Sequence, residues 1–365
     1  MIKENFFRSK TAIITLFAAC FVVLISLGVR QTFGLFFMDF NESLNISNTA
    51  FGFAIGIQML MWGLTGPIFG AIADRYGGHI AIISAFIFYT LGIYFLYTGP
   101  NTGIFFQIHM GLLIGIGLGG TAISIPMSVV GKHFPLSTRT IAMSFVTAIG
   151  SFGYFLSPIF TNYSLSEFGW NYTLFIFSLF LLTGLGAAYF VRSPSKSESA
   201  EKPTDQSFKE ALTEAFKTKS YILLVSGFFV CGFHITLVGT HVPKYVIDRG
   251  LENWTAAAIL SLIGLFNIFG SLLSGYLSAI MSKKIILSGI YFLRGISIIL
   301  FIFTPASNFS AFLFGASFGF LWLSTVPATS GIVAHMFGTK YLGLLYGIVF
   351  LSHQIGSFFG AYLGG

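Results

Sequence analysis

The chain has 365 residues, of which 55% are hydrophobic and only 8% charged, with a mean hydropathy of +0.84. A soluble domain carries about 25% charged residues, so these proportions exclude a soluble protein and require a lipid solvent. The formal net charge of +7 follows the distribution of Lys and Arg between loops, and nothing in it points to nucleic acid.

In chain order, apolar runs long enough to cross about 30 Å of hydrocarbon as helix lie at 12–38, 50–73, 80–97, 104–130, 140–160 and 172–191. They resume at 221–243, 255–279, 285–303, 309–334 and 341–363. The segments are too long and too uniformly apolar for membrane strands, which alternate; an all-α membrane protein follows. With the N-terminus cytoplasmic, the inner segments carry fifteen Lys and Arg and the outer loops only Lys244 and Arg249. That asymmetry fixes the orientation and implies a multi-pass protein of the plasma membrane, the cell inner membrane.

The basic start and the small residues before Cys20 resemble a lipoprotein signal. Phe17 fits such a cleavage site poorly and the apolar run continues past Cys20, so an uncleaved first helix is expected. Cys20 and Cys231 both fall inside helices, and no disulfide framework follows.

Three segments organise the chain: a bundle at 1–191, a polar linker at 192–220 and a second bundle at 221–365. Within the linker, Ser207 and Glu210 have capping-box spacing, and Phe208, Leu212 and Phe216 share one helical face. A short helix at the inner membrane surface is expected there. The bundles repeat. Gly28-Val29-Arg30-Gln31-Thr32 matches Gly232-Phe233-His234-Ile235-Thr236 at an offset of 204, and Gly70 and Asp74 match Gly275 and Ala279 at 205. Pro126 matches Pro327 at 201, and the tetrapeptide IGSF recurs at 149–152 and 355–358. Parallel repeats of six helices are an arrangement of secondary transporters, with substrate near the midplane between the halves.

The stretch GAIADRYGGH, Gly70 to His79, resembles the loop signature of the major facilitator superfamily, G-x-x-x-D-[RK]-x-G-x-[RK], with His79 replacing the last basic residue. The resemblance implies the major facilitator fold, two pseudo-symmetric six-helix bundles. It also implies a gating role for Gly70, Asp74, Arg75, Gly77 and Arg139: Asp74 would sit at the positive N-terminal end of the eleventh helix, near Lys340 and Tyr341. Since the second copy has Ala279 where Asp74 stands, such a latch would be asymmetric. A narrower resemblance, to the monocarboxylate and oxalate–formate branch, rests on HFPLSTRTIAMSFVTAIG at 133–150 and on RQTFGLFF after ISLG. It implies a cation on the first helix that contacts a substrate carboxylate. Monocarboxylate carriers have Asp and Arg in the eighth helix where Asn267 and Ser271 stand here, which removes their proton-coupling scheme. The Gly-Pro signature of drug/proton antiporters is also missing: Gly150 and Gly153 are present, but Pro158 comes late.

Two charges fall within spans, Arg30 and Arg294. A buried Arg needs a partner, and either a substrate carboxylate or protein groups can supply it; for Arg294 the protein candidates are carbonyls or Asn267. His234, which matches Arg30 in the repeat, and His353 are the titratable groups suited to carry a proton. Gln31 and Gln354 adjoin these positions and complete the candidate substrate site, Arg30, Gln31, His234, His353, Gln354 and Arg294. Gln58, Gln107 and His109 are weaker polar candidates. Pro126 and Pro327 are expected to bend the fourth and tenth helices.

These readings converge on a secondary carrier that moves a small, monocarboxylate-like organic anion by alternating access. Protons are a candidate co-substrate, the expected state is a monomer, and no cofactor is called for. Rival readings are an exporter of a neutral metabolite or drug and a non-transporting membrane sensor. An intramembrane enzyme lacks its motifs: no H-E-x-x-H, G-x-S-x-G or Cys/His metal cluster occurs. The repeat maps the sixth helix, 172–191, onto about 377–396, so a twelfth helix is expected beyond Gly365, in a full form of about 400 residues.

Overall fold

The computed structural model describes residues 10–134, 136–193, 208–337 and 342–364. Within hydrocarbon every backbone N–H and C=O must be satisfied internally, and the described apolar segments are helical apart from two short breaks. Helix α1 (Lys10–Gln31) runs through a 3₁₀ turn, Phe33–Phe36, into α2 (Phe37–Leu44). Asn45, in the left-handed region at φ 54°, ends α2. Ser47 then caps α3 (Asn48–Tyr76) by accepting from the Ala50 N–H at 3.2 Å. Helix α4 spans Gly78–Thr98.

The fourth crossing is irregular. It begins as α5 (Ile104–Phe106), widens into a π-helical stretch, Gln107–Leu113, and continues as α6 (Ile114–Thr121). It breaks at 122–123 before α7 (Ser124–His133). Helix α8 (Leu136–Ala188) holds the fifth and sixth crossings, separated at Gly169, whose φ of +75° only glycine adopts without strain. The short α9 (Phe208–Lys217) is present as expected. It buries Ala211 and Ala215, half-buries Leu212 and leaves Phe216 exposed. The capping residue Ser207 lies outside the described residues.

Helices α10 (Lys219–Asp248), α11 (Asn253–Ile280) and α12 (Lys283–Phe303) follow. The tenth crossing is split into α13 (Asn308–Leu321) and α14 (Thr325–Phe337), and α15 (Leu342–Leu363) completes the described chain. The sequence reading expects bends at Pro126 and Pro327; the structure shows full breaks three to five residues earlier, at 122–123 and 322–324. A proline has no N–H to give the carbonyl four residues back, and its ring crowds that carbonyl. For Pro126 that carbonyl belongs to Ala122, and for Pro327 to Leu323.

One apolar core gathers residues from Ala12 to Val191 together with Ala361, and a second gathers residues from Ala215 to Val349. The halves meet where α3 packs on α15 and α8 on α11. A Cβ on Gly264 of α11 would lie 2.5 Å from the backbone of Tyr154 and Phe155 in α8; the missing side chain lets these helices approach closely. At the end of the bundle holding residues 33–44, Gly34 abuts the carbonyls of Gly239 and Thr240. At the other end of α3, Gly66 and Gly70 meet, among the described residues, only Gly119 and Ile125 of their own half. The halves are closed together at one end of the bundle.

Candidate functional site

Arg30 lies at the last turn of α1, just before the 3₁₀ turn, and is buried. Its Nη2 points at the Met59 sulfur, 3.5 Å away, and its Nε has no hydrogen-bond partner. Among the described residues no carboxylate lies within ion-pair distance of it. Its electrostatic neighbours are the phenols of Tyr154 and Tyr89. Beside it in sequence, Gln31 is 1% exposed with neither side-chain amide atom partnered. A Cβ on Gly239 of α10 would lie 3.9 Å from Arg30 Nη1 and 3.5 Å from the ring of Trp322, at the break between α13 and α14. Arg30 therefore reaches the second half, with aromatic rings and orphaned donors around it. An unpaired buried guanidinium costs several kcal/mol, and a fork of this kind accepts a carboxylate bidentately.

Arg294 has the opposite character. It is fully buried, and each of its three nitrogens has a partner: Nε gives to the Leu321 carbonyl at 3.0 Å, Nη2 to the carbonyls of Leu321 and Trp322, and Nη1 to the Cys231 sulfur at 3.1 Å. It braces the break by supplying positive charge to the carbonyl end of α13. Asn267 is not its partner. That amide instead accepts the Leu323 N–H at 2.9 Å and donates to Ser151 Oγ across the α8–α11 contact at 2.9 Å.

The brace is built twice. In the second half Cys231 Sγ lies 3.3 Å from Thr325 Oγ1, and Arg294 contacts that sulfur. In the first half Ser26 Oγ lies 2.6 Å from Thr121 Oγ1, beside the 122–123 break, and the Tyr89 hydroxyl donates to the Ser26 carbonyl at 3.0 Å. Ser26 and Cys231 are 205 residues apart, Thr121 and Thr325 204, and Tyr89 and Arg294 205. Sequence reasoning missed Ser26, Tyr89, Tyr154, Cys231 and Thr325. The repeat offset was the signal that pairs four of them.

The other candidates fall as follows. His353 is buried on α15, with Nδ1 3.0 Å from Gln354 Oε1 and its ring against Phe228 and Phe350. Gln354 keeps an unpartnered Nε2. His234 is half-buried with Nδ1 unpartnered. Gln58 and Gln107 tie π-helical and neighbouring backbone, giving to the carbonyls of Met110 and Ala50, and His109 pairs with Asn101. These three are structural.

In the signature loop Gly77 joins α3 to α4 at φ +100°, a conformation that demands glycine. The Gly78 N–H donates to Ser193 Oγ at 3.0 Å, and His133 Nε2 lies 2.6 Å from the Arg192 carbonyl. The chain leaving α8 thus straps this loop. Arg75 is exposed and stacks on Tyr76. The side chains of Asp74 and Arg139, and Lys340 and Tyr341 entirely, lie outside what the structure describes, so the latch expected between them does too.

A cleft of about 460 Å³ opens at the end holding residues 33–44 and is lined by Leu35, Met38, Asp39, Glu42, Trp254 and Glu252. Its three carboxylates repel an anion from this vestibule.

Two interlocked helical bundles with broken crossings and a buried cation between them define a membrane transporter. The family model of the Major Facilitator Superfamily matches residues 18–361; the chain belongs to that family. It is 22% identical to the uncharacterized MFS-type transporter YcxA of Bacillus subtilis (strain 168), over 96% of this chain and 87% of that protein. It is also 22% identical to monocarboxylate transporter 2 of Homo sapiens, over 67% of this chain and 56% of that protein, just over half of its length. Among solved structures, a bacterial homologue of the human lysosomal transporter Spinster superposes with a TM-score of 0.73 at 16% identity, over 97% of this chain and 82% of that one.

Proposed function

We propose that this protein is a secondary carrier that moves a small organic anion, a monocarboxylate or a close relative, by alternating access. The observation that carries this reading is Arg30, a buried guanidinium with an unpartnered Nε and no acid beside it among the described residues. A carboxylate entering the site would exchange its hydration for the Arg30 fork and neutralise the buried charge. Gln31, with both amide atoms free, would take a further polar atom of the substrate, and Tyr89 and Tyr154 would wall its apolar part. Closure at the 33–44 end corresponds to the inward-facing state when the N-terminus is cytoplasmic, the orientation the Lys and Arg distribution supports. His234 and His353 would pass a proton to or from the cavity, and Asp74, Arg75 and Arg139 would form the latch at the opposite end. The protein would work as a monomer in the plasma membrane.

Similarity to monocarboxylate transporters supports the substrate class. The test is counterflow in proteoliposomes with a panel of small carboxylates and neutral solutes. Saturable exchange confined to carboxylates, lost on Arg30→Gln with the protein still inserted, is the expected result. Neutral-solute exchange that survives the substitution would overturn it.

A further inference from the structure

Arg294 is wholly enclosed, always charged and, among the described residues, without a carboxylate in ion-pair reach. A buried cation in low dielectric needs a counter-charge, and carbonyl dipoles from Leu321 and Trp322 supply only part of it. The remaining partner of its guanidinium is the Cys231 sulfur, 3.1 Å from Nη1. A thiol next to Arg is the side chain most readily converted to an anion in such a place, since a phenol gives up its proton less easily.

We infer that Cys231 is a thiolate at neutral pH, the counter-ion of Arg294, and that it is the protonation site of the transport cycle. This assignment rests on the proposed carrier function only for its link to transport. The groups that face Cys231 are consistent with it. From α12 come Arg294 and Tyr291, from α15 His353 and Tyr346, and from its own helix His234, close to Arg294. From α14 the Thr325 hydroxyl lies 3.3 Å from the sulfur, where it can donate to a thiolate. His353 neighbours the sulfur and holds Gln354 Oε1 3.0 Å from its Nδ1, so a proton arriving on its imidazole can pass to the thiolate. An S–H bond then forms, the imidazole returns to neutral, and Arg294 loses its counter-charge. Release reverses the transfer.

The consequence reaches the substrate site through covalent structure. Arg294 holds the Leu321 and Trp322 carbonyls, and the Trp322 ring flanks Gly239 beside Arg30. Protonating Cys231 weakens the hold on the 322–324 break and so alters the wall against which Arg30 receives its anion. The first-half copy cannot do this: Ser26 and Tyr89 stand where Cys231 and Arg294 do, and a serine hydroxyl does not ionise in this range. The proton site is a property of one half only.

The direct test is infrared spectroscopy of the purified, reconstituted protein in a Cys20→Ser background, which leaves Cys231 as the single thiol. No S–H stretch at neutral pH, and its appearance on acidification, is expected; an S–H band of constant intensity from about pH 5 to 9 overturns the assignment. This measurement needs no substrate, so it stands or falls apart from the carboxylate reading. The transport arm uses pH profiles of uptake. Cys231→Ser should flatten the profile, and Cys231→Asp should restore a pH dependence displaced to lower pH, as an intrinsically stronger acid demands. An unchanged profile in Cys231→Ser would count against the protonation role, leaving the infrared result to decide the thiolate.

Discussion

Tyr89 and Arg294 occupy equivalent positions in the two halves, 205 residues apart, and each contacts the helix that opens its own bundle beside a broken crossing. The equivalence ends at the chemistry. Tyr89 makes one neutral hydrogen bond to the Ser26 carbonyl, whereas Arg294 ties two carbonyls and a sulfur. Substitutions at the two sites should therefore differ sharply. Tyr89→Phe should cost about 1 kcal/mol, the worth of one net hydrogen bond. Arg294→Gln leaves carbonyls and Cys231 without their cation and should cost about 3–5 kcal/mol. Thermal unfolding in detergent, followed by size-exclusion fluorescence, measures both; equal shifts would contradict the asymmetry.

Arg30 should separate charge from geometry. Arg30→Gln should lower carboxylate transport by about a hundredfold or more, the loss expected when one member of a buried charge pair is removed. Arg30→Lys keeps the charge but loses the planar fork, so it should transport with a raised KM and a smaller fall in maximal rate. Counterflow kinetics on the two variants check the order, wild type above Lys above Gln.

Asn267 joins two jobs in one amide, the Leu323 N–H at the break and Ser151 across the interface between halves. Asn267→Ala should cost about 1–3 kcal/mol, because it strands a buried N–H. Ser151→Ala should cost less, and the double variant should be no worse than Asn267→Ala alone by more than about 0.5 kcal/mol, since both remove the same bond. A double-mutant cycle in thermal unfolding gives the coupling directly.

Gly34 controls closure at the 33–44 end, where a side chain would meet the Gly239 and Thr240 carbonyls and Pro243. Gly34→Val should hold that end apart and favour the alternative state. Met38, which lines the acidic vestibule, can report it: in a Met38→Cys background, a membrane-impermeant thiol reagent should label faster when Gly34 is Val, while Cys20 and Cys231 stay buried. Slower or equal labelling would show that this contact does not control the vestibule.

The apolar runs were legible because lipid imposes length and hydropathy on each crossing, and the described residues form helices at those places. Arg30 was legible for the same reason: a charge inside hydrocarbon stands out from its neighbours. The breaks were only half legible. Pro126 and Pro327 mark them, but a proline disrupts the carbonyl four residues before it, so the chain parts upstream of the residue that signals it. Arg294 could be recognised as a buried cation, yet its partners are backbone carbonyls, which carry no identity in the sequence. Tyr89, Tyr154 and Cys231 look like ordinary residues of apolar helices, and only their distances to the two arginines and the breaks distinguish them.

The split tenth crossing bears on how the protein enters the membrane. Helix α13 has 14 residues, about 21 Å at 1.5 Å per residue, well short of the roughly 30 Å of hydrocarbon it must help to cross. Left alone in lipid, its carbonyl end at Leu321 and Trp322 would be bare. Arg294, which takes those two carbonyls, and Asn267, which takes the Leu323 N–H, both belong to helices made earlier on the ribosome. The same order holds in the first half, where Ser26 and Tyr89 precede Thr121. Each broken helix thus emerges into a membrane where its partners are already waiting, and biogenesis of either half can finish only by docking that segment onto helices inserted before it.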